Sequence, residues 1–231
     1  MKHIVSLKST NSLTRALVEI QLKNFFPTGK DLMIEDVIFE AAYQRTVNCV
    51  NSIKGWSDAG FDKLISWQYA TYLYFLSREV FLRLDDLETS TRLFLLNKAL
   101  NAFELYFQIE LPNYFFLSHT PGLVFGQATY GNYCVFHQGC TVGRNANDRP
   151  TLEEGVVLYP NSSVIGRCLV RSNTVIAPGV QLVNQDTPGN CYVFMGARGR
   201  PIFKEIDGFF ADRYFDRGLK SVANGVGSVD F

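Results

Sequence analysis

The sequence lacks an excess of charge of either sign, because its 22 basic residues balance 22 acidic residues. A chain without net charge has no broad positive field that would attract nucleic acid or an anionic membrane. The sequence also lacks an apolar run of membrane-spanning length, and its first twenty residues lack the uninterrupted apolar core of a secretory signal. We therefore expect a cytoplasmic protein with no nucleic-acid partner and no membrane span.

Cysteine pairs are missing as well. The five cysteines are odd in number, are scattered along the chain and include no CxxC pair. Disulfide frameworks and zinc sites usually show an even count or such a pair, so we expect neither, and we predict no metal site. The fingerprints GxxxxGK[ST] and GxGxxG are also absent, which argues against nucleotide hydrolysis and dinucleotide binding.

The first half of the chain has the apolar spacing of helices. Three segments carry this spacing: residues 36–53, 60–86 and 88–112. Ser90 or Thr89 is a candidate cap at the start of the third helix, and Pro112 helps to end it. The second and third segments are apolar on more than one face, as is typical of helices buried against other helices or against a partner subunit.

The second half has a period of six. From Leu152 to Leu182 every sixth residue is aliphatic, and a residue no larger than valine stands four positions after each, up to Ile176. The same rule predicts two sets upstream, with large residues at Val124, Tyr130, Phe136 and Val142 and small ones at Ala128, Cys134 and Cys140. The upstream run ends at Val142 and the downstream run begins at Leu152, so the interval between them is one hexad plus four residues. The four extra residues fall in the polar loop "GRNANDRPT".

A six-residue period with one large and one small inward position is typical of a parallel β-helix with short flat faces. It predicts about three coils over residues 123–187 with these side chains inward: Leu158, Val164, Val170 and Ile176. Three cysteines fall in the small positions and are interpreted as compact buried hydrophobes rather than as catalytic or metal-binding groups: Cys134, Cys140 and Cys168.

A helical half followed by "HTPGLVFGQA", "HQGCTVG", "NDRPTLEEGVVL" and "SSVIGRCLV" resembles the bacterial serine O-acetyltransferases, which are left-handed β-helix acyltransferases of hexapeptide repeats. The resemblance covers about residues 60–205. It implies an α+β architecture with a helical domain (1–112), a left-handed parallel β-helix (113–205) and a C-terminal tail (206–231). It also implies acetyl-CoA as co-substrate and a homotrimer or a dimer of trimers.

On the acceptor side, His119 matches the histidine that takes the proton of the acceptor hydroxyl, after which the oxygen attacks the thioester. An imidazole that titrates near neutral pH suits this role of general base. His137 follows the inward Phe136 and should point outward, into the acceptor pocket or to a subunit seam, or simply be an exposed histidine. Asp148 and Arg149 are either solvated loop residues or acceptor ligands, with Arg149 binding a carboxylate or phosphate through two hydrogen bonds.

Two departures from the family pattern concern the acceptor. The serine enzymes usually have an aspartate before the catalytic histidine, where this chain has Ser118. They also have a second histidine after "DR", whereas Arg149 here directly precedes Pro150. We therefore expect weak binding of L-serine unless another carboxylate, such as Glu110 or Asp148, replaces the missing charge.

On the donor side, CoA in this family lies in the groove between neighbouring β-helices, against small residues and backbone at the coil corners. The matching positions are Gly143, Arg144, Ala177, Pro178 and Gly179. Three later residues are candidates for the CoA phosphates, with solvated surface charge as the alternative: Arg198, Arg200 and Lys204.

The main prediction is an acetyl-CoA-dependent O-acetyltransferase that transfers acetyl directly to a small, L-serine-type acceptor, without a covalent acyl-enzyme. Ser118 and the missing loop histidine favour a second interpretation, in which the acceptor is a sugar, a nucleotide sugar or a polysaccharide. A third is a non-enzymatic oligomeric scaffold. The ending "GVGSVDF" suggests it, because tails of serine acetyltransferases commonly dock into a partner enzyme through a final aliphatic residue, although this chain ends in Phe231.

Overall fold

The computed structural model describes residues 7–28, 34–57 and 60–218, with side chains from residue 12 onward. Four helices come first: α1 (Leu7–Phe25), α2 (Asp36–Asn51), α3 (Ser66–Leu84) and α4 (Leu87–Asn101). Fourteen strands follow: β1 (Phe103–Leu105), β2 (Phe115–Leu117), β3 (Leu123–Phe125), β4 (Thr129–Tyr130), β5 (Cys134–Phe136), β6 (Thr141–Gly143), β7 (Thr151–Leu152), β8 (Val157–Leu158), β9 (Ser163–Ile165), β10 (Leu169–Val170), β11 (Thr174–Ile176), β12 (Gln181–Val183), β13 (Cys191–Met195) and β14 (Pro201–Glu205).

The helices predicted over 36–53 and 60–86 correspond to α2 and α3, whereas α1 was not predicted. From Trp67 to Val80 every residue of α3 is buried, as its all-round apolar character indicates. The helix predicted over 88–112 is wrong beyond Asn101, because Ala102 adopts a left-handed backbone conformation with φ of 48° and ends α4. The chain then enters β1, which pairs in parallel with β3.

The start of α4 also differs from the prediction. Its cap is Asp86, whose side chain accepts a hydrogen bond of 2.9 Å from the backbone N–H of Thr89. Neither Ser90 nor Thr89 caps the helix, since both residues lie inside its first turn. An aspartate at this position satisfies one of the free backbone donors at the helix start.

The predicted α+β architecture with a parallel β-helix is confirmed. The strands form three sheets, one for each side of about five turns: β1-β3-β6-β9-β12 (first sheet), β4-β7-β10 (second sheet) and β2-β5-β8-β11-β13 (third sheet), with β14 added antiparallel to β13. The residues predicted to face inward are all completely buried: Leu158, Val164, Val170 and Ile176. The three cysteines in the small positions are also buried, and every cysteine in the chain is free.

One predicted inward residue is wrong. Val124 is 36% exposed, whereas Phe125 is buried and stands in register with Val142 of the next turn. The next inward residue, Tyr130, follows Phe125 by five positions instead of six, so the hexad is one residue short at this corner. A shift of one residue along a strand moves a side chain to the other face of the sheet.

The polar loop between β6 and β7 accounts for the change of phase. Val142 is in register with Val164, and Val164 with Leu182, so one turn contains 22 residues and the next 18. The extra residues extend outward from the corner, and Arg144 to Arg149 are all exposed. The inward columns therefore continue through the insertion without interruption.

After β14, residues 206–218 (the return segment) fold back across the outer face of the third sheet. Tyr214 of this segment packs on Phe116, and Phe210 packs on Tyr192. The outward side chains on the same face, Val135, Val157 and Val175, are each at most 1% exposed. It begins beside the last turn and ends at the C-terminus of α2, where Phe215 forms a β-bridge with Ile53. Residues 219–231, including the sequence end at Phe231, lie outside the described residues.

Candidate active site

The corner between β2 and β3 carries Ser118 and His119. It is tight, because a Cβ atom on Gly122 would lie 3.3 Å from the Cα atom of Gly139 in the next turn, and Gly122 has a φ of +76°. The backbone N–H of Ser118 donates to the carbonyl of Phe136, which is directly followed by His137. The corner therefore presents His119 to solvent as an exposed side chain, with His137 beside it in the next turn.

His137 points outward, as predicted, but it is half-buried rather than exposed. Its ring stacks on Tyr159 with centroids 4.9 Å apart, and Tyr214 of the return segment meets it edge-on at 6.2 Å. Its Nε2 atom is buried and has no hydrogen-bond partner within the described part of the chain. Burial lowers the pKa of His137, and the nearby His119 lowers it further, which favours the neutral imidazole. The six-residue period cannot reveal Tyr214, which comes from outside the repeat.

The acceptor residues predicted in the polar loop lie apart from this corner. Asn145 and Asp148 exchange two backbone hydrogen bonds of 3.0 Å, which close the loop into a tight turn. Arg149 follows that turn and lines a cavity of about 260 Å³ with Gln108, Ile109, Glu110, Gln127, Ala128, Thr129, Pro150 and Thr151. We name it the acceptor cavity after the role predicted for Arg149. Neither His119 nor Asp148 is among its lining residues. His119 precedes β3, whereas the cavity lies beyond the end of that strand.

Arg78 of α3 is a residue that the sequence analysis missed. It is buried, and its Nη1 atom donates a hydrogen bond of 3.0 Å to the carbonyl of Phe107. Its Nη2 atom lies 3.2 Å from Oε2 of Glu110, one of the acceptor-cavity residues. The signal in the sequence is a single arginine inside the apolar stretch of α3, where a buried cation needs a partner.

The predicted donor residues lie mainly at the opposite end of the β-helix. A second cavity of about 460 Å³, the donor cavity, is lined by Gly179, Gln181, Leu182, Val183, Gln185, Met195, Gly199 and Pro201. The cavity is named after the role predicted for Gly179. Two segments that the resemblance assigned to the donor meet here, because Gly179 belongs to the first, and Gly199 lies between Arg198 and Arg200 of the second, in the turn between β13 and β14. Both arginines are exposed.

The remaining predicted donor residues are outside this cavity. Ala177 and Pro178 immediately precede Gly179, and Gly143 is in register with Ile165, which is in turn in register with the cavity residue Val183. The corner after Gly143 carries the exposed Arg144. Lys204 stands opposite Tyr192 and places its ammonium group 5.5 Å from the ring centroid of Phe194.

Within the described residues, no group of three or more histidine, cysteine, aspartate or glutamate side chains is placed to hold a metal ion. Among the helices of the same residues, none combines the length and the hydropathy needed to cross a membrane.

Comparison with known proteins shows sequence similarity to one curated relative. No protein-family model matches the chain. The serine acetyltransferase of Synechococcus elongatus is 31% identical to it over 150 residues, which make up 63% of this chain and 57% of that protein. The matched part of the chain thus spans less than two thirds of that relative.

Solved structures show a more extensive similarity of fold. The serine acetyltransferase of Neisseria gonorrhoeae superposes with a TM-score of 0.65 at 17% identity, covering 86% of this chain and 82% of that one. The serine acetyltransferase of Brucella abortus in complex with coenzyme A gives a TM-score of 0.63 at 16% identity, covering 84% and 83%. Over most of its length, the chain therefore has the fold of these serine acetyltransferases.

Proposed function

We propose that this protein is an acetyl-CoA-dependent O-acetyltransferase that acetylates the hydroxyl group of L-serine or a closely similar small acceptor. The observation that carries this proposal is the exposed His119 at a tight β-helix corner, in a chain similar in sequence to a serine acetyltransferase. Acetyl-CoA, when bound, supplies the acetyl group as a thioester.

His119 acts as the general base in this proposal. Its imidazole takes the proton of the acceptor hydroxyl while the oxygen forms its bond to the acetyl carbonyl carbon. The carbon–sulfur bond then breaks, and the imidazolium gives this proton to the leaving sulfur, which releases the thiol of CoA and restores the base. Burial and the neighbouring His119 lower the pKa of His137, which favours a neutral imidazole beside the base. No second positive charge then opposes protonation of the base.

Arg149 and the donor cavity provide the two binding regions. Arg149 holds the acceptor carboxylate, because its planar guanidinium matches a carboxylate with two parallel hydrogen bonds. Around the donor cavity, backbone near Gly179 and Gly199 approaches the pantetheine arm, with Gly143, Arg144, Ala177 and Pro178 extending the groove. Three basic residues meet the CoA phosphates: Arg198, Arg200 and Lys204.

The active sites lie between subunits of a homotrimer, which pairs further into a dimer of trimers. This part of the proposal is supported by the separation of His119 from the acceptor cavity along β3, since a second copy would bring its own His119 to Arg149. Five free, buried cysteines support a reducing, cytoplasmic location.

Release of the CoA thiol tests the activity directly. We expect release from acetyl-CoA to require L-serine and to be slow with glycosides or without acceptor. Release with sugars alone would contradict the serine acceptor and support the second interpretation. No release with any acceptor would contradict acetyl transfer and support a scaffold.

A complementation experiment tests whether each active site is built from two subunits. Co-expression of a His119→Ala chain with an Arg149→Met chain should restore activity, because mixed trimers contain some sites with both residues intact. Activity no higher than that of either variant alone would contradict a site built from two subunits.

A further inference from the structure

The acceptor cavity presents opposite charges from two separate parts of the chain. Glu110 comes from the link between β1 and β2, and Arg149 comes from the polar loop before β7. Between them the lining is mostly polar and includes Gln127 and Thr129. Ligand pockets for larger molecules are mainly apolar and measure 300–1,000 Å³, so this smaller, polar cavity suits a small molecule that carries both charges.

Glu110 forms an ion pair with the buried Arg78. Arg78 is only 8% exposed, and it bonds the carbonyls of Phe107 and Gln108 as well as the Glu110 carboxylate. The arginine thereby fixes both the chain link and the side chain that extends from it. The Glu110 side chain remains 78% exposed, and its ion pair uses Oε2, which leaves Oε1 free for a ligand.

Arg149 differs from Arg78 because its guanidinium has no hydrogen-bond or ion-pair partner among the residues that the structure describes. A free guanidinium and a carboxylate that line the same cavity can bind an α-amino acid together, the guanidinium through the acceptor carboxylate and Glu110 through the ammonium group. A phosphate, with a second negative charge, would be repelled by Glu110.

We propose that Glu110 is the specificity-determining residue that binds the ammonium group of the acceptor, in place of the aspartate whose position Ser118 occupies, and that Arg78 is its positioning residue. This inference rests on the proposed function, and it identifies the substrate class as α-amino acids with a side-chain hydroxyl. Glu110, from the link between β1 and β2, thus supplies the negative charge that Ser118 does not provide next to His119.

The test compares three acceptors by steady-state kinetics: L-serine, 3-hydroxypropanoate, which lacks the ammonium group, and ethanolamine, which lacks the carboxylate. Glu110→Gln should raise the KM for L-serine at least about tenfold more than the KM for 3-hydroxypropanoate, because a charged hydrogen bond is lost only with L-serine. Arg149→Gln should show the complementary pattern, affecting L-serine and 3-hydroxypropanoate much more than ethanolamine.

Two further variants separate positioning from folding. Arg78→Lys keeps the buried charge but loses the forked geometry, so it should raise the KM for L-serine while leaving kcat nearly unchanged. A merely structural role would instead lower kcat for all three acceptors in proportion to the folded fraction. Glu154→Gln, an exposed acidic residue that does not line the cavity, is the matched control and should change no KM.

Direct binding distinguishes failure of this inference from failure of the proposed function. Calorimetric titration of L-serine into the wild type and into Glu110→Gln needs no acetyl transfer. Binding that weakens at least about tenfold in the variant would support the cavity assignment even in a protein without transferase activity. Equal KM changes for L-serine and 3-hydroxypropanoate, serine binding that is unaffected by Glu110→Gln, or no serine binding by the wild type would overturn the inference.

Discussion

The helical half and the β-helix both have dense cores, but they satisfy their buried polar groups differently. In the β-helix, inward columns repeat from turn to turn, and the free thiol of Cys140 lies 3.1 Å from a backbone carbonyl of the next turn. The helices instead contain non-repeating polar contacts, such as the carboxylate of Glu79 between Arg45 and Arg83. Each half also buries polar atoms without a partner among the described residues, such as the Tyr72 hydroxyl in the helices and Nε2 of His137 in the β-helix. A repeated environment can be inferred from spacing alone, whereas an unrepeated one depends on long-range partners.

The largest stability effect should come from an inward column. Phe136 is 1% exposed and meets Phe125 edge-on, with centroids 4.7 Å apart. Phe136→Ala should lower the free energy of unfolding in urea by about 3–5 kcal/mol, because it leaves a cavity that the turns above and below cannot fill. Val124→Ala, on the outer face of the same region, is the control and should cost less than about 1 kcal/mol. Equal losses would contradict the corrected register.

The two neighbouring histidines should differ strongly in catalysis. His119→Ala should lower kcat by about a hundredfold or more, because it removes the base, whereas His137→Ala should cost much less. Steady-state rates with L-serine measure both effects, and circular dichroism checks that each variant is folded. Equal turnover of the wild type and His119→Ala would contradict the assignment of the base.

A smaller effect should separate the observed helix cap from the predicted one. Asp86→Ala should lower the free energy of unfolding by about 1 kcal/mol, because the N–H of Thr89 loses its acceptor at the start of α4. Ser90→Ala should cost less, since the Ser90 hydroxyl is buried without a hydrogen-bond partner. A larger loss for Ser90→Ala than for Asp86→Ala would favour the sequence-based cap.

The smallest effect should arise where the helical core leaves a polar atom unsatisfied. Tyr72→Phe should change the free energy of unfolding by less than about 0.5 kcal/mol or raise it, since it removes a desolvated hydroxyl without breaking a hydrogen bond. Tyr74→Phe is the matched control and should cost about 1–3 kcal/mol. The Tyr74 hydroxyl donates to Ile109 at 2.8 Å and accepts from Leu111 at 2.9 Å. A greater loss for Tyr72→Phe would indicate a hidden partner.

The fold was predictable wherever local spacing determines the environment. The hexad predicted the inward columns and the four-residue insertion because each residue packs against its equivalent one turn away. It failed at Val124, where the corner is one residue short. Helical spacing also failed beyond Asn101, because apolar residues such as Phe103 and Leu105 fit an alternating strand as well as a helix. The pairing of β1 with β3, which decides between these structures, is not a local property.

From the sequence, the candidate site could be proposed as single residues but not as an arrangement. The resemblance pointed to His119, and Arg149 and Glu110 were both named as candidate groups. Arg149 and Glu110 line one cavity because the turns of the β-helix stack. The order of residues in the sequence does not reveal this proximity. Arg78 was missed because a helix interior gives no indication of which distant carbonyl or carboxylate a buried arginine will contact.

The return segment changes how the β-helix can come apart. A stack of turns in which each contacts only its neighbours can lose its last turn independently, as solenoids do when their ends fray. Here Phe210 packs on Tyr192 of the last turn, Phe215 packs on Tyr133 near the first turns, and Asp216 bonds the backbone of Ser52 beyond α2. Detachment of the last turn therefore also strips the cover from the middle of the stack and breaks its connection to the helices. We therefore expect the solenoid to unfold cooperatively with the helical half, and slow-exchanging amides to extend to the final coil.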